Sequence, residues 1–269
     1  MERLKVGVVG CGTIGSLICQ AIVEEIPQME LVAVSDTREG AAKSLALSLP
    51  EKVEVLSLEE LVRKSSLIVE AASGKAVSIV VRGAVELGRD VLVMSTGGLF
   101  ANLDLFDLAR EKGSRIYLPS GAIAGLDGLA AAKIGDIRSV TLTTRKPPKG
   151  LAGAPFIIER KIDLEAITEA TTIFEGNALE AAKGFPANIN VAATLSLAGI
   201  GPEKTQVRII ADPGSKTNTH EIMAEGDFGR MSTRCENLPS PFNPKTSYLA
   251  ALSAIATLKG IVDPVKVGT

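Results

Sequence analysis

The sequence predicts an α/β chain: a doubly wound parallel sheet, followed by a second α+β unit with a largely antiparallel sheet. Three observations predict it. From the N-terminus to Pro119, short apolar runs alternate with amphipathic helical patterns. A glycine-rich turn, Gly10-Cys11-Gly12-Thr13-Ile14-Gly15, joins the first apolar run to the first helical pattern. Beyond Pro119 the rhythm changes to strand-like segments separated by Pro-Gly and Gly-Asp breakers.

Each element has its own signal. Lys5 to Val9 is a valine-rich run that ends at Gly10, as a buried parallel strand would. Ile14, Leu17, Ile18, Ala21 and Ile22 then share one helical face, and Pro27 closes that helix. Leu31 to Asp36 is a second strand that ends on a carboxylate. A helix over Glu39 to Leu49, a short strand at Val53 to Leu56 and a helix over Leu58 to Ser65 follow. Leu67 to Glu70 is a strand, Lys75 to Leu87 a helix and Asp90 to Met94 a strand. Ala101 to Lys112 is helical and Arg115 to Leu118 extended. Such alternation builds βαβ units. In the second unit, Val140 to Thr144, Gln206 to Ala211, His220 to Glu225 and Arg230 to Cys235 read as strands. Leu179 to Lys183 and Ile189 to Ala198 are helical, and Lys245 to Lys259 is an apolar helix that packs back on the first unit. The expected domains are therefore 1–119 with 241–269, and 120–240.

Composition narrows the function classes. At roughly 150 residues per domain, a chain of 269 residues suits two domains. With 46% hydrophobic and 22% charged residues it has the make-up of a folded globular protein. A net charge of −2 gives no general attraction for nucleic acid or anionic lipid, and neither is expected as a partner. Three cysteines without a CxxC and a single histidine exclude a zinc site built from several Cys and His ligands. No metal is expected. The chain has no signal-peptide apolar region and no apolar run of membrane-spanning length, so a cytoplasmic location is expected.

The glycine turn carries the strongest chemical signal. It follows a strand, opens a helix, and precedes Asp36 by about 20 residues, the arrangement of a Rossmann-type dinucleotide site. Gly10 permits the tight turn, Gly12 lets the backbone approach a pyrophosphate, and Gly15 lets helix and strand pack closely. Helix-end N–H groups at Cys11, Thr13 and Ile14 then favour phosphate. Asp36 can accept both hydroxyls of the adenine ribose, which favours NAD, while Arg38 can meet a 2′-phosphate. NAD with tolerance of NADP is the expected cofactor. Ala72 and Ser73 follow the strand ending at Glu70, and Ser95 to Gly98 follow the next. Both loops lie at carboxyl ends of strands, where ligands bind in such sheets.

Catalytic candidates are few. His220 is the one imidazole, and period-2 alternation puts it on the apolar face with Ile222 and Ala224. It is either a satisfied structural residue or the group that moves the proton accompanying hydride transfer. Cys235 sits within a strand-like segment with no activating neighbour in sequence, and reads as structural. Lys216, Arg230 and Arg234 are candidate carboxylate partners or solvated surface residues.

Several stretches together resemble the L-aspartate dehydrogenase family. They are the Gly10–Gly15 turn, Glu70-Ala71-Ala72-Ser73, the run from Pro119 to Asp127, the run from Asn188 to Ala193, and Asn218-Thr219-His220-Glu221. The resemblance spans nearly the whole chain. It implies NAD(P)-dependent oxidation of L-aspartate to iminoaspartate, which then hydrolyses or feeds NAD biosynthesis. It also implies that His220 is the active-site residue, that Ala124 and Asn190 contact the nicotinamide half of the cofactor, and that the chain forms a homodimer. Ser120 and Thr219 are expected to contact substrate carboxylates. Two other readings stay open. One is a non-catalytic NAD(P)-binding redox sensor. The other is a reductase like dihydrodipicolinate reductase, although its usual paired histidines are impossible here.

Overall fold

The computed structural model describes residues 2–186, 189–241 and 243–268, with backbone alone at 243–245. Met1, Ala187, Asn188, Phe242 and Thr269, which belong to stretches named above, lie outside the described residues. The chain divides into two compact units, Met1–Pro119 with Ala251–Lys266, and Ser120–Ala250 with Val267–Thr269. Residues 241–250 and 267–269, expected with the first unit, fall in the second.

The first unit alternates strand and helix throughout. β1 (Leu4–Val9), α1 (Thr13–Glu25), β2 (Met29–Ser35), α2 (Glu39–Ser48), β3 (Glu54–Val55) and α3 (Leu58–Lys64) form its first half. β4 (Leu67–Glu70), α4 (Gly74–Glu86), β5 (Asp90–Val93), α5 (Asp104–Lys112) and β6 (Ile116–Tyr117) form the second. The strands are parallel in the order β3-β2-β1-β4-β5-β6. The winding reverses between β1 and β4, so the loops after those strands diverge and leave a crevice at their carboxyl ends. Local chemistry sets the element ends. Ser57 and Glu60 form a reciprocal capping box that starts α3. Gly113, at φ 70°, ends α5 in the left-handed conformation. Val6, Val8, Ile18, Ile22 and Val69 are buried in the core.

The second unit opens on α6 (Leu126–Ala132) and β7 (Ile137–Lys146), then α7 (Pro155–Glu159), β8 (Thr171–Asn177), α8 (Ala178–Gly184) and α9 (Asn190–Ala198). β9 (Gln206–Ala211), β10 (Asn218–Gly226), β11 (Gly229–Asn237) and the short pair β12 (Pro239–Ser240) and β13 (Asn243–Ser247) follow. Five strands form a sheet in the order β11-β10-β7-β9-β8, antiparallel except for the β7–β9 pair. Ala181 of α8 and Ala192 of α9 line a small void with Leu142 and Val207, so these helices cover that face of the sheet. Phe156, Phe174 and Phe185 meet at ring separations of 5.4–5.6 Å and close one end of this core. The chain ends on α10 (Tyr248–Val262), whose Ala254 and Leu258 join the core of the first unit.

Some elements differ from expectation. The helix expected from Ala101 begins only at Asp104, because Ala101 ends a 3-10 turn over Thr96–Ala101 that precedes α5. The helix expected from Lys245 begins only at Tyr248, because β13 continues to Ser247 to pair with Pro239. Three short elements, α6, α7 and β8, carry no periodic apolar signal long enough to stand out in sequence. Among the described residues, no helix is long and apolar enough to cross a membrane. Nor does any group of three His, Cys, Asp or Glu among them suit a metal ion.

Candidate active site

The glycine turn sits at the reversal point of the parallel sheet. Gly10 has φ 100°, and a Cβ there would lie 2.5 Å from the Ala71 carbonyl in the loop after β4. A Cβ on Gly15 would lie 1.9 Å from the Gly10 oxygen, so helix and turn close on one another only through glycine. At Gly12 the opposite holds: an added Cβ meets no protein atom within 4 Å. Gly12 caps α1 without a side-chain bond, so the helix end presents backbone to that open space. A pyrophosphate fits such a cradle by the charge and donors of the helix start.

Asp36 borders the same turn. The Cys11 N–H donates to its Oδ2 and the Arg38 N–H to its Oδ1, each at 2.8 Å. The Arg38 guanidinium, largely exposed, reaches both oxygens at 3.2 and 3.3 Å. Burial works to raise the Asp36 pKa, but the hydrogen bonds from Arg38 and Cys11 outweigh it and hold the carboxyl below its usual range. Cys11 itself is buried, and desolvation, then the charge of Asp36, pushes its thiol up to about 11, so it is no nucleophile. Thr13, Ile14, Ala72 and Ser73 complete this group at the ends of β1 and β4.

Glu70 holds that second loop, and sequence reasoning passed over its role. Its fully buried carboxylate accepts from the Ala72, Ser73 and Ser95 N–H groups at 2.9–3.0 Å and from the Ser95 hydroxyl at 3.0 Å. One side chain thus ties together the loops after β4 and β5. Desolvation dominates its titration and raises its pKa against those bonds. The available signal was a carboxylate closing an otherwise apolar strand.

In the second unit His220 is 4% exposed, on the inward face with Ile222 and Ala224 as the alternation predicts. It lies opposite Thr144 on β7 and Cys235 on β11, and Nδ1 is 3.0 Å from the Thr144 hydroxyl. Burial, and after it the charge of Lys146, lowers its pKa to about 3. The imidazole is neutral at ordinary pH. Lys146 continues the Thr144 face of β7, and burial lowers its pKa to about 8. β7 runs two residues beyond the strand expected at Val140 to Thr144, and this extension brings Lys146 onto the sheet.

The remaining sequence candidates take defined places. Thr219 is buried at the start of β10, its hydroxyl 3.3 Å from that of Thr217. Ser120 opens a loop held to the strands: Asn237 donates to the Ala122 and Asn218 carbonyls, and Thr233 to the Ala124 carbonyl. Ala124 and Asn190, the latter starting α9, are exposed. Of the cations named from sequence, Lys216 lines a cavity with Lys146. Arg230 and Arg234 pair instead with Glu225 and with Glu221 and Glu236 on exposed strand faces. Cys235 is a half-buried free thiol. The two groups of site residues, on the first and on the second unit, are each internally assembled.

The fold and cradle define a nicotinamide-nucleotide-dependent oxidoreductase, and residues 10–119 match the family described as "Homoserine dehydrogenase, NAD binding domain". Residues 127–261 match the one described as "Aspartate dehydrogenase, C-terminal". The L-aspartate dehydrogenase of Methanosarcina barkeri is 54% identical over 99% of this chain and 100% of its own length. That of Bradyrhizobium diazoefficiens is 45% identical over all of this chain and 95% of its own. The crystal structure of aspartate dehydrogenase from Thermotoga maritima superposes with a TM-score of 0.77 at 27% identity, covering 99% and 100% of the two chains. The chain belongs to the L-aspartate dehydrogenase family.

Proposed function

We infer that the chain oxidises L-aspartate to iminoaspartate, with His220 as the acid/base. The observation that carries this reading is the single histidine, buried and neutral, tethered at Nδ1 to Thr144 and followed inward by apolar residues. When bound, the dinucleotide supplies a hydride acceptor. The α-ammonium of the substrate must lose a proton before its nitrogen lone pair can form the C=N bond as the Cα hydride departs. The tautomer of His220 that donates from Nδ1 to Thr144 leaves Nε2 with the lone pair that takes this proton. Released iminoaspartate adds water and breaks to oxaloacetate and ammonia, or serves NAD biosynthesis.

Gly10 to Gly15, Ala72 and Ser73 hold the dinucleotide, and Asp36 accepts from the adenine ribose in NAD. Arg38 already spans Asp36 and is exposed enough to turn to a 2′-phosphate, so NADP is tolerated. Ala124 and Asn190 serve the nicotinamide half, Ser120 and Thr219 the substrate. The active form is a homodimer formed through the second unit.

The test is absorbance of reduced nicotinamide with a panel of amino acids and both cofactors. L-Aspartate alone should give the signal. His220→Ala should lower kcat by about 10²–10⁴ while dinucleotide affinity stays near wild type. Turnover near wild type in that variant sinks the assignment. Dinucleotide binding without turnover of any amino acid would favour the redox sensor.

A further inference from the structure

Among the described residues Glu70 is the one buried carboxylate, and it closes β4 at the reversal point of the parallel sheet. Its backbone stays in the sheet. Met94 donates to the Glu70 carbonyl at 2.9 Å, and the next residue, Ala71, donates to the Val9 carbonyl at 2.8 Å. The side chain serves the loops beyond. Oε1 accepts from the Ala72 and Ser73 N–H groups and the Ser95 hydroxyl, and Oε2 accepts from the Ser95 N–H. All four partners are neutral donors, so both oxygens must act as acceptors. Burying a charge is costly, and the charge is kept here where the two loops it holds flank the crevice. The loops also touch directly: a Cβ on Gly98 would lie 2.3 Å from the Gly74 oxygen. Ser73, the N-cap of α4, makes no side-chain capping bond, and its N–H bond to Glu70 fixes the entry into that helix.

We propose that Glu70 is a positioning residue for the nicotinamide half of the dinucleotide, acting through the spacing of the loops after β4 and β5. A dinucleotide spans the reversal point with one mononucleotide on each half of the sheet. Asp36, just after β2, takes the adenine ribose, which leaves the loops after β4 and β5 to the nicotinamide side. Glu70 itself touches neither substrate nor cofactor. It holds the Ala72–Ser73 and Ser95 backbones at one separation, and the nicotinamide ribose and ring meet the surface so formed. The inference rests on the dinucleotide placement given above and is independent of the substrate that is oxidised.

Titrations of NADH, followed by fluorescence, and of ADP, followed by calorimetry, read the two halves separately in the full chain. Glu70→Gln sets an amide N–H against at least one of the loop N–H donors, whichever way the amide turns. It should weaken NADH about tenfold or more and leave ADP within about twofold, because the Ala71–Val9 bond still holds the loop against the glycine turn. Ser95→Ala, which removes one of the four bonds, should weaken NADH about threefold. Gly98→Ala leaves Glu70 intact and drives the two loops apart. It should weaken NADH about tenfold with ADP again unchanged, and it decides the matter if Glu70→Gln does not fold. A role in stability alone would lower both ligands together. Equal loss of NADH and ADP, or wild-type NADH affinity in the glutamine and alanine variants, overturns the proposal. Selective loss of NADH in a chain that does not oxidise L-aspartate would sink the reaction alone. Wild-type NADH affinity in Glu70→Gln, with L-aspartate oxidised, would sink the positioning role alone.

Discussion

His220 reports on its own surroundings, because one histidine gives one imidazole signal in an NMR titration. Burial first, and Lys146 second, lowers its pKa to about 3, so the signal should not shift between pH 5 and 8. Lys146→Met should raise that pKa without restoring the ordinary 6.5, since burial remains. A normal titration in wild type would contradict the buried, uncharged state. The sign of the stability effect follows. The unfolded chain binds a proton at His220 near pH 6.5 and the folded one only near pH 3, so this contribution is present above pH 6.5. It is lost as pH falls from 6.5 toward 3, and urea midpoints should decline across that window. The imidazole and its inward face were legible from period-2 alternation. Thr144 and Lys146 were not, because they come from a strand over seventy residues earlier in the chain, and only the β7–β10 register sets them against it.

At the scale of the element, the strand–turn–helix unit separates two kinds of glycine. Gly15→Ala drives a methyl against the Gly10 oxygen and should destabilise the first unit by about 1–3 kcal/mol. Gly12→Ala adds its methyl to open space at φ −82°, a conformation any residue adopts. It should change stability by no more than about 1 kcal/mol, yet weaken dinucleotide binding tenfold or so, read by NADH fluorescence. Equal effects of the two substitutions on stability would undo this division. The long periodic elements of the first unit could be read directly, since each buries its own apolar stripe. Short elements such as α6 and β8 could not, and neither could the true start of α10. Their limits depend on partners that a local pattern does not contain: β13 keeps its extended form because Pro239 and Ser240 pair with it.

For the molecule as a whole, the first unit is assembled from both ends of the chain, with α10 contributing Ala254 and a fully buried Leu258. The Lys259–Glu25 ion pair at 2.6 Å is exposed and adds about 0–1 kcal/mol at most. Burial of Leu258 is the larger effect. Leu258→Ala should cost about 2–5 kcal/mol, and saturating NADH should recover part of the lost melting temperature. An unchanged melting temperature would mean that α10 does not support the nucleotide unit. By itself the sequence determined the parallel sheet, the dinucleotide turn with Asp36 and the single imidazole. Those depend on residues close together in the chain, where periodicity and turn chemistry act. Only the tertiary structure decided that Glu70 ties two loops and that Lys146, Lys149 and Lys216 line one cavity. Burial and charge are set by everything brought near a group in space, and spacing along the chain does not carry that information.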